Sequence, residues 1–387
     1  MTRPLRALRA GTAADSGIVG IALRAALGGD GPAILPYAES PPREIPAEVA
    51  RRVVLIVETS GSSGAPKRVV LGANALLASA AASDSALGGP GQWLLALPVH
   101  YIAGINVLVR SIAAETEPVV LGDGHFDAAK FVDAAASMDR SLRHYTSLVP
   151  VQLSRLVTAA ESDVRLAAAL RRFDRILVGG QSTPPPLIAR SLALGLSVTR
   201  SYGSSETAGG CVYDGRLLGG VAARLRDGEI ELGGAMLAEE YLGDSERTAR
   251  NFVTDERGAR WYRTGDGGEL LADGTLSVTG RLDRVIISGG IKVSLDAVER
   301  VLSELVGFTD AVALEQPDPE WGERVVIVHT ATAVTVESVT AALIASLGRA
   351  STPTRFLVVD RIPLLPSGKP DRVAVRAIIH GQGFAPN

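Results

Sequence analysis

The sequence predicts an α/β protein with a large N-terminal domain of layered α/β subdomains plus a β-rich subdomain, followed by a small α+β C-terminal domain. Between residues 53 and 201, apolar β-branched runs alternate with Ala/Leu-rich segments, which is typical of a mainly parallel sheet between helices. After Gly215 come short runs separated by Asp-Gly turns, which favour hairpins. After Arg284, strand and helix patterns alternate over about 100 residues, the usual size of one domain.

The first 50 residues are mixed, and the regular alternation starts after them. A helix is predicted at Ile18–Leu27, and a proline-rich linker at residues 36–46. The strands predicted next are Val53–Val57, Trp93–Leu97, Pro118–Leu121, His144–Leu148, Arg175–Val178 and Ser197–Ser201. The helices predicted between them are Ala73–Ser85, Gly104–Ala114, Ala128–Met138, Pro150–Ala160 and Pro184–Leu194.

The β-rich part and the small domain follow. Tight turns are predicted near Gly228, at residues 265–268 and at Asp273-Gly274. A boundary near Leu282-Asp283-Arg284 divides the chain into domains of residues 1–282 and 283–387. In the second domain we expect strands at Val285–Ile287, Arg324–Thr330 and Arg355–Val359, and helices at Leu295–Leu305 and Val336–Leu347.

Composition limits the possible functions. The chain has 387 residues, a net charge of −3, five histidines and a single cysteine, Cys211. The charge gives no sign of a nucleic-acid partner. One cysteine excludes an intramolecular disulfide and a cysteine-cluster metal site, and it suits a reducing compartment. The basic N-terminus lacks the apolar core of a signal peptide, and no run reaches the roughly 18 apolar residues of a membrane span. We therefore expect a cytoplasmic protein.

A phosphate-binding loop is predicted at Thr59–Lys67, which reads TSGSSGAPK. It lies between a predicted strand and a predicted helix. There, glycines let the backbone approach phosphate oxygens, hydroxyls add donors and a lysine adds charge. It is not a Walker A loop, because Pro66 precedes the lysine and Arg68 follows it. Nor does the position of Gly64 fit a nucleophile elbow. By itself the segment could also be a flexible surface turn.

Four further stretches could hold a nucleotide. Ser201–Thr207 (SYGSSET) follows a predicted strand, where ligands bind in open α/β sheets; its tyrosine could stack on a base and its glutamate could hold Mg²⁺. Tyr262–Asp266 (YRTGD) places a carboxylate at a predicted turn, where it could accept from ribose hydroxyls. Gly280–Gly290 spans the predicted boundary, and Leu364–Pro370 places Lys369 near the C-terminus. Taken singly, these stretches could be a polar loop, a turn aspartate, a solvated hinge and a surface lysine.

The order and spacing of these five motifs, from about Leu55 to Lys369, resemble the adenylate-forming superfamily of acyl- and aryl-CoA ligases, luciferases and nonribosomal adenylation domains. Within it, Leu97–Gly104 (LPVHYIAG) and Thr146–Leu153 (TSLVPVQL) look most like the o-succinylbenzoate–CoA ligases of menaquinone biosynthesis. The resemblance implies an enzyme that activates a carboxylic acid with ATP and Mg²⁺ to an acyl-adenylate and pyrophosphate. The thiol of coenzyme A then displaces AMP.

The resemblance also implies a role for each motif residue. Lys369 would bridge the substrate carboxylate and the α-phosphate, and Glu206 would contact the metal. The nucleotide contacts implied are Gly180 and Tyr202 at the adenine, Asp266 at the ribose, Arg281 at the ribose and phosphate, and Gly203 and Ser205 as further ATP-binding residues. Those implied at the phosphates are Thr59, Ser60, Gly61, Ser62, Ser63, Gly64 and Lys67. Since Lys369 and the phosphate loop lie on different predicted domains, the small domain would have to close for the first step.

Six further positions are implied for the acid, for coenzyme A and for the hinge between the domains. His100 would line the acyl pocket near the incoming carboxylate, as a catalytic and substrate-binding residue, with a hydrogen-bonded core histidine as the alternative. Arg110 and Ser147 are candidates for gripping a second carboxylate, although Arg110 could instead cap its helix. The family's hinge would fall at Asp283, and Gly289 with Gly290 would admit the pantetheine arm.

Some features depart from the family pattern, and other functions stay open. Ser63 and Ser205 stand where threonine is usual, Arg68 replaces a common glycine, and the chain is short ahead of the phosphate loop. The alternatives are another aryl- or fatty-acyl-CoA ligase, an adenylation domain serving a carrier protein, and a non-catalytic adenylate-binding protein. The resemblance also leaves a homodimer open.

Overall fold

The computed structural model describes residues 1–59, 66–124, 126–330, 335–365 and 368–381. The helices are α1 (Ala13–Gly28), α2 (Ala73–Leu87), α3 (Ile102–Ala113), α4 (Ala128–Ala136), α5 (Pro150–Ala160), α6 (Val164–Leu170), α7 (Pro185–Ala193), α8 (Ser245–Asn251), α9 (Leu295–Ser303), α10 (Val336–Leu347) and α11 (Arg372–Ile379). Short 3-10 turns lie at Ser205–Thr207, Leu282–Arg284 and Arg349–Ser351.

The strands form four sheets within these ranges. In chain order they are β1 (Thr2–Arg9), β2 (Ala33–Tyr37), β3 (Glu48–Ala50), β4 (Val53–Thr59), β5 (Lys67–Gly72), β6 (Gln92–Leu95), β7 (Val119–Val120), β8 (His144–Leu148), β9 (Arg175–Gly179), β10 (Val198–Ser204), β11 (Gly209–Tyr213), β12 (Arg216–Leu217), β13 (Ala222–Arg226), β14 (Glu229–Gly233), β15 (Glu240–Tyr241), β16 (Phe252–Thr254), β17 (Arg260–Leu270), β18 (Leu276–Arg281), β19 (Val285–Ser288), β20 (Ile291–Ser294), β21 (Val312–Asp318), β22 (Gly322–His329) and β23 (Arg355–Val358). The predicted fold class is confirmed.

The first sheet has the strand order β15-β5-β4-β2-β1-β3 and includes strands that the sequence did not predict. β1 reads TRPLRALR, and one of its buried positions is Arg3 rather than an apolar residue. The Arg3 guanidinium donates to the carbonyls of Ala26 and Val53 at 3.0 and 3.1 Å. A strand whose inner face includes an arginine lacks the apolar alternation that identifies strands in sequence.

The phosphate loop is placed differently from the prediction. It joins β4 to β5, which pair antiparallel with Thr59 opposite Lys67, so it connects two strands rather than a strand and a helix. Residues 69–72 form a second buried run, and α2 begins only at Ala73. The predicted loop residues Ser60, Gly61, Ser62, Ser63 and Gly64 lie outside the described residues.

The second sheet, ordered β12-β11-β10-β9-β8-β6-β7, is parallel from β7 to β10 as predicted. Alternate residues of β6 face opposite layers. Trp93 and Leu95 pack into a core with α2 and α3, whereas Leu94 packs into a second core with α4 and α5. β10 ends at Ser204, so the SYGSSET motif lies at the carboxyl edge of this sheet, where open α/β sheets bind ligands.

The third sheet is the predicted β-rich part, ordered β13-β14-β17-β16 with β18 beside β17. The hairpin turns at Asp227-Gly228 and Asp273-Gly274 are confirmed. The predicted turn at residues 265–268 is wrong, because this segment lies inside the long strand β17, with a register shift after Gly267. A Cβ on Gly268 would lie 2.6 Å from Ile230 Cδ1 and from the Ser277 carbonyl oxygen, so its glycine serves close strand packing.

The fourth sheet, ordered β20-β19-β22-β21 with β23 beside β22, begins after the 3-10 turn Leu282–Arg284. Helices α9 and α10 pack against it through Val298 and Leu343, and α11 packs through Val375. α11 was not predicted. Across the described ranges, no helix is long and apolar enough to cross a membrane.

Two glycines in helices provide a matched test of this packing. A Cβ on Gly104, in α3, would lie 2.3 Å from the Pro98 carbonyl oxygen, which is backbone and cannot rotate away. Gly17, in α1, is exposed and would meet nothing within 4 Å. We expect Gly104→Ala to lower the free energy of unfolding by about 1–3 kcal/mol and Gly17→Ala to raise it by about 0.5–1 kcal/mol, measured by urea denaturation. Equal effects would contradict the packing described here.

Candidate active site

Glu206 lies at the centre of the candidate site, at the carboxyl edge of the second sheet. β10 ends in the 3-10 turn Ser205–Thr207, and the Thr207 hydroxyl stabilises this turn. It accepts from the Ser204 N–H at 2.9 Å and donates to the Gly209 carbonyl at 2.7 Å. The turn buries Glu206, which is only 3 % exposed.

Two groups from the first sheet hold the Glu206 carboxylate. Lys67 Nζ lies 3.1 Å from Oε1, and the Tyr241 hydroxyl donates to the same oxygen at 2.8 Å. Burial by itself would raise the pKa of Glu206, but the charge of Lys67 and the hydrogen bond from Tyr241 outweigh it and lower the pKa. Glu206 is therefore a buried anion at neutral pH.

Asp266, on β17 of the third sheet, is the second carboxylate of the site and is partly buried. The Tyr202 hydroxyl donates to its Oδ2 at 2.7 Å, and Arg281 Nη1 lies 3.2 Å from its Oδ1. Burial raises the pKa of Asp266, and the hydrogen bonds from Tyr202 and Arg281 oppose this only in part. Each carboxylate oxygen has a second lone pair, so the group can still accept from a ligand hydroxyl.

Lys369 reaches the same region from the C-terminal part of the chain. Its side chain stays accessible to solvent, yet partial burial lowers its pKa, while the negative charges of Asp266 and Glu206 oppose that shift. Gln181 Nε2 donates to the Gly368 carbonyl at 2.9 Å and so ties the Lys369 turn to the loop after β9. The structure thus brings together Lys67, Tyr202, Glu206, Asp266, Arg281 and Lys369.

The glycines and small residues of the predicted nucleotide site lie around this group. A Cβ on Gly203 would lie 2.1 Å from the Gly209 carbonyl oxygen, so no other residue fits there. Gly180 follows β9 with a φ of 82°, and Ser205 is buried in the 3-10 turn. Thr59 ends β4 opposite Lys67.

The residues predicted for the acid are not brought together. His100 Nδ1 lies 3.4 Å from the Ala10 carbonyl oxygen, and burial lowers the pKa of its imidazole. Arg110 is buried further along α3, with Nη2 3.3 Å from the Tyr213 hydroxyl and its guanidinium over the Trp93 ring. Among the described residues, the Arg110 side chain makes no hydrogen bond to the carbonyls at the end of α3. Ser147 is buried in β8.

The predicted hinge and coenzyme A residues lie around the fourth sheet. Asp283 pairs with Arg281 at 3.1 Å in the 3-10 turn. Gly289 and Gly290 form the turn between β19 and β20, both with positive φ, and a Cβ on Gly289 would lie 2.7 Å from the Trp321 ring.

Sequence reasoning missed one contributor to the site, Tyr241, and it left the role of Arg68 unexplained. Tyr241 belongs to the two-residue strand β15, and only its pairing with β5 brings it to Glu206. No local pattern marks such a residue. Arg68, whose role the sequence did not reveal, donates to Glu58 and to the carbonyls of Arg43 and Glu44. It therefore anchors residues 43–44 to the strand after the phosphate loop.

The carboxylate of Glu206 suits a Mg²⁺ ion that is held jointly by the protein and by substrate phosphates. Within the described ranges there is no group of three or more His, Cys, Asp or Glu residues that could hold a metal ion by itself. Mg²⁺ is commonly held by one or two carboxylates together with substrate phosphates. The buried carboxylate of Glu206, beside Lys67, fits that arrangement.

Comparison with known proteins identifies the family. The model of the AMP-binding enzyme family matches residues 13–280. The chain belongs to this family. It is 37% identical over 386 residues to a probable 2-succinylbenzoate–CoA ligase of Mycobacterium tuberculosis, covering 96% of this chain and 97% of the relative. It is 29% identical to the 2-succinylbenzoate–CoA ligase of Listeria monocytogenes, covering 83% of this chain and 69% of the relative.

A solved structure agrees with the fold of this AMP-binding enzyme. o-Succinylbenzoate CoA synthetase (MenE) from Bacillus subtilis, in complex with the acyl-adenylate intermediate OSB-AMP, superposes with a TM-score of 0.74. The match covers 89% of this chain and 74% of that protein, at 24% sequence identity. At this identity the likeness supports the shared fold.

Removing Lys67 tests the electrostatics of the site. The lowered pKa of Glu206 contributes stability above its unfolded value of about 4.5, and this stability is lost as pH falls through the lower folded value. In Lys67→Met, the charge that offsets the effect of burial is gone, so the pKa of Glu206 in the folded protein rises. The variant therefore has a lower free energy of unfolding than the wild type at pH values above about 4.5. We expect a loss near the lower end of about 3–5 kcal/mol at pH 7.5 and a smaller one at pH 5 in urea denaturation. Lys292→Met, at an exposed site, is the control; an equal deficit at both pH values would contradict this account.

Proposed function

We propose that this AMP-binding enzyme is an ATP-dependent acid–thiol ligase that converts o-succinylbenzoate to o-succinylbenzoyl-CoA through an acyl-adenylate, in menaquinone biosynthesis. The observation that carries the proposal is the convergence of Lys369 with the carboxylates of Glu206 and Asp266. A protein that only binds adenylate has no need of a lysine between a nucleotide site and an acid site. Similarity to 2-succinylbenzoate–CoA ligases along nearly the whole chain supports the choice of acid.

The chemistry requires two anions, a carboxylate and a triphosphate, to approach each other. Lys67 and the phosphate loop bind the β- and γ-phosphates, and Lys369 holds the substrate carboxylate against the α-phosphate, where its charge stabilises the negative charge that develops. Tyr202 packs on the adenine, beside Gly180, Gly203 and Ser205. Glu206 would hold Mg²⁺, which neutralises phosphate charge when bound.

The ribose is fixed by the third sheet. Asp266 accepts from the ribose hydroxyls, and Arg281 orients Asp266 while its charge faces the phosphates. This arrangement places the α-phosphorus near the acid before reaction, and such positioning supplies much of the rate.

The acid would bind between α3 and the second sheet. His100, just before α3, and Ser147, on β8, would contact it, although these two residues and Arg110 do not touch one another in the present arrangement. Arg110 Nε has no hydrogen-bond partner among the described residues, so a donor is available to a second carboxylate on the substrate.

The two steps use two arrangements of the domains 1–282 and 283–387. In the present arrangement, the Arg281 N–H donates to Asp296 at 2.6 Å and Arg300 donates to the Thr279 carbonyl at 2.8 Å across the 3-10 turn. Rotation about Asp283 would withdraw Lys369 and bring Gly289 and Gly290 to the site, opening a route for coenzyme A. The separate apolar cores of the fourth sheet suit a domain that moves as one body.

Location and assembly are proposals as well. Cys211 is a buried free thiol, which suits the cytoplasm. The homodimer stays a prediction that light scattering can test.

Product analysis by mass spectrometry tests the proposed reaction. Protein, Mg·ATP and coenzyme A are incubated with o-succinylbenzoate, benzoate, coumarate and a fatty acid, with Lys369→Ala beside the wild type. We expect o-succinylbenzoyl-CoA and AMP, with the yield reduced about 100-fold or more in the variant. A different acyl-CoA would contradict the choice of acid and the roles of Arg110 and Ser147. ATP binding with no AMP or thioester from any acid would contradict the ligase.

A proline substitution at the predicted hinge tests whether thioester formation needs a domain rotation that adenylation does not need. Asp283→Pro fixes the backbone φ at the 3-10 turn, whereas Asp283→Ala removes only the pair with Arg281. We expect the proline variant to keep acid-dependent pyrophosphate–ATP exchange and to lose thioester formation by about tenfold or more, with the alanine variant close to wild type. Equal loss of both steps in the proline variant would contradict the hinge.

A further inference from the structure

A cleft whose lining carries several basic side chains opens beside the predicted nucleotide site. It is lined by Lys67, Glu229, Arg250, Asn251, Tyr262, Arg263, Thr264, Gly265 and Arg281. The cleft encloses about 190 Å³. At about 30 Å³ for each water molecule, this space accommodates several waters or one small polyanion.

The lining is positively charged. Lys67, Arg250, Arg263 and Arg281 contribute four positive charges and Glu229 one negative charge, so the lining has a net charge of 4 − 1 = +3. Glu229 is fully engaged, because its Oε2 accepts from Arg263 Nη2 at 2.6 Å and its Oε1 accepts from the Gly265 N–H at 2.9 Å.

The acids that pair with the other three cations lie outside the lining. They are Glu206 beside Lys67, Glu246 beside Arg250, and Asp266 with Asp283 beside Arg281. The cleft therefore presents donors to an anion and few acceptors that would repel one.

The position of the cleft relates it to the nucleotide phosphates. On one wall, Lys67 ends the phosphate loop and contacts Glu206. On the other, Arg281 Nη1 donates to the Thr264 carbonyl at 2.8 Å, next to Asp266. From these two residues the cleft runs to Arg250 on α8 and Arg263 on β17, neither of which has a part in the adenylation chemistry proposed above.

We propose that this cleft binds inorganic pyrophosphate after the acyl-adenylate forms, using Arg250 and Arg263 as its outer anion-binding residues. The inference rests on the proposed function. In the first step the substrate carboxylate oxygen bonds to the α-phosphorus, the bond from that phosphorus to the α,β-bridging oxygen breaks, and pyrophosphate leaves with that oxygen and the bonding electrons. Arginine suits such a ligand, since its planar guanidinium matches phosphate oxygens in pairs.

Direct binding tests the proposal without acid or coenzyme A. Sodium pyrophosphate is titrated calorimetrically into the full chain and into Arg250→Gln, Arg263→Gln and the control Arg257→Gln, an exposed arginine in the turn before β17. We expect the dissociation constant to rise about tenfold in Arg263→Gln and about threefold in the more exposed Arg250→Gln, with Arg257→Gln unchanged. Added salt should weaken binding to the wild type more than to the variants.

Phosphate oxygens are also present in the nucleotide end of coenzyme A, so 3′,5′-ADP is titrated in parallel. If both variants bind pyrophosphate like the wild type, the proposal is overturned. It is also overturned if they lose affinity for 3′,5′-ADP alone, because the cleft then serves coenzyme A. The affinity of each variant for AMP shows whether the variant is folded. If Arg263→Gln disturbs the buried partner Glu229, the result for Arg250→Gln decides the outcome, because Arg250 is exposed at the surface. Since no thioester is made in this experiment, its result is independent of whether the acid has been chosen correctly.

Discussion

The buried carboxylate of Glu206 is the group on which the rest of the site depends. It is an anion from the second sheet, and both groups that hold it, Lys67 and Tyr241, come from the first sheet. A buried charge is stable only when it is paired and hydrogen-bonded, so the two sheets are fixed against each other at this point. The main chain strengthens the link, since the Ala238 N–H donates to the Glu206 carbonyl at 2.8 Å.

The same principle connects the other parts of the site. Asp266 brings the third sheet to the second through the Tyr202 hydroxyl, and Lys369 approaches both carboxylates from the C-terminal part of the chain. Two carboxylates close together would repel each other and also an incoming triphosphate. Lys67, Arg281 and Lys369 balance them, and the excess of positive charge continues into the basic cleft. The site is thus arranged to accept negative charge.

The sequence predicted helices and strands well where local signals, such as apolar spacing or a proline at the helix start, determine the structure. β8 and α5 were predicted with the bounds that the structure has. For α5 the signals are plain, because Pro150 marks its start and the buried residues Leu153, Leu156 and Val157 recur at helical spacing. It failed where tertiary contacts decide. β1 was missed because its buried face includes the charged residue Arg3, which the apolar pattern of a strand does not allow for. The glycines of β17 suggest a turn in the sequence, although in the structure they allow close packing between strands. The strand β5 was missed because the loop before it was expected to lead into a helix.

The site shows the same division. Glu206, Asp266 and Lys369 stand in compact motifs, so their residue types and order could be read from the sequence. Tyr241 and Arg250 stand in no motif, and they reach the site only because β15 pairs with β5 and α8 lies beside β17. Arg110 was identified as a cation near the acid pocket, but its packing on Trp93 depends on the fold.

The central claim is that Lys369 acts in adenylation and has no part in thioester formation. Single-turnover kinetics of Lys369→Ala, started either from ATP with o-succinylbenzoate or from chemically prepared o-succinylbenzoyl-adenylate with coenzyme A, tests this most directly. We predict that adenylation slows by about 10²–10³-fold while thioester formation from the prepared adenylate stays close to wild type. Equal slowing of both steps, or loss of the second step alone, would contradict the account.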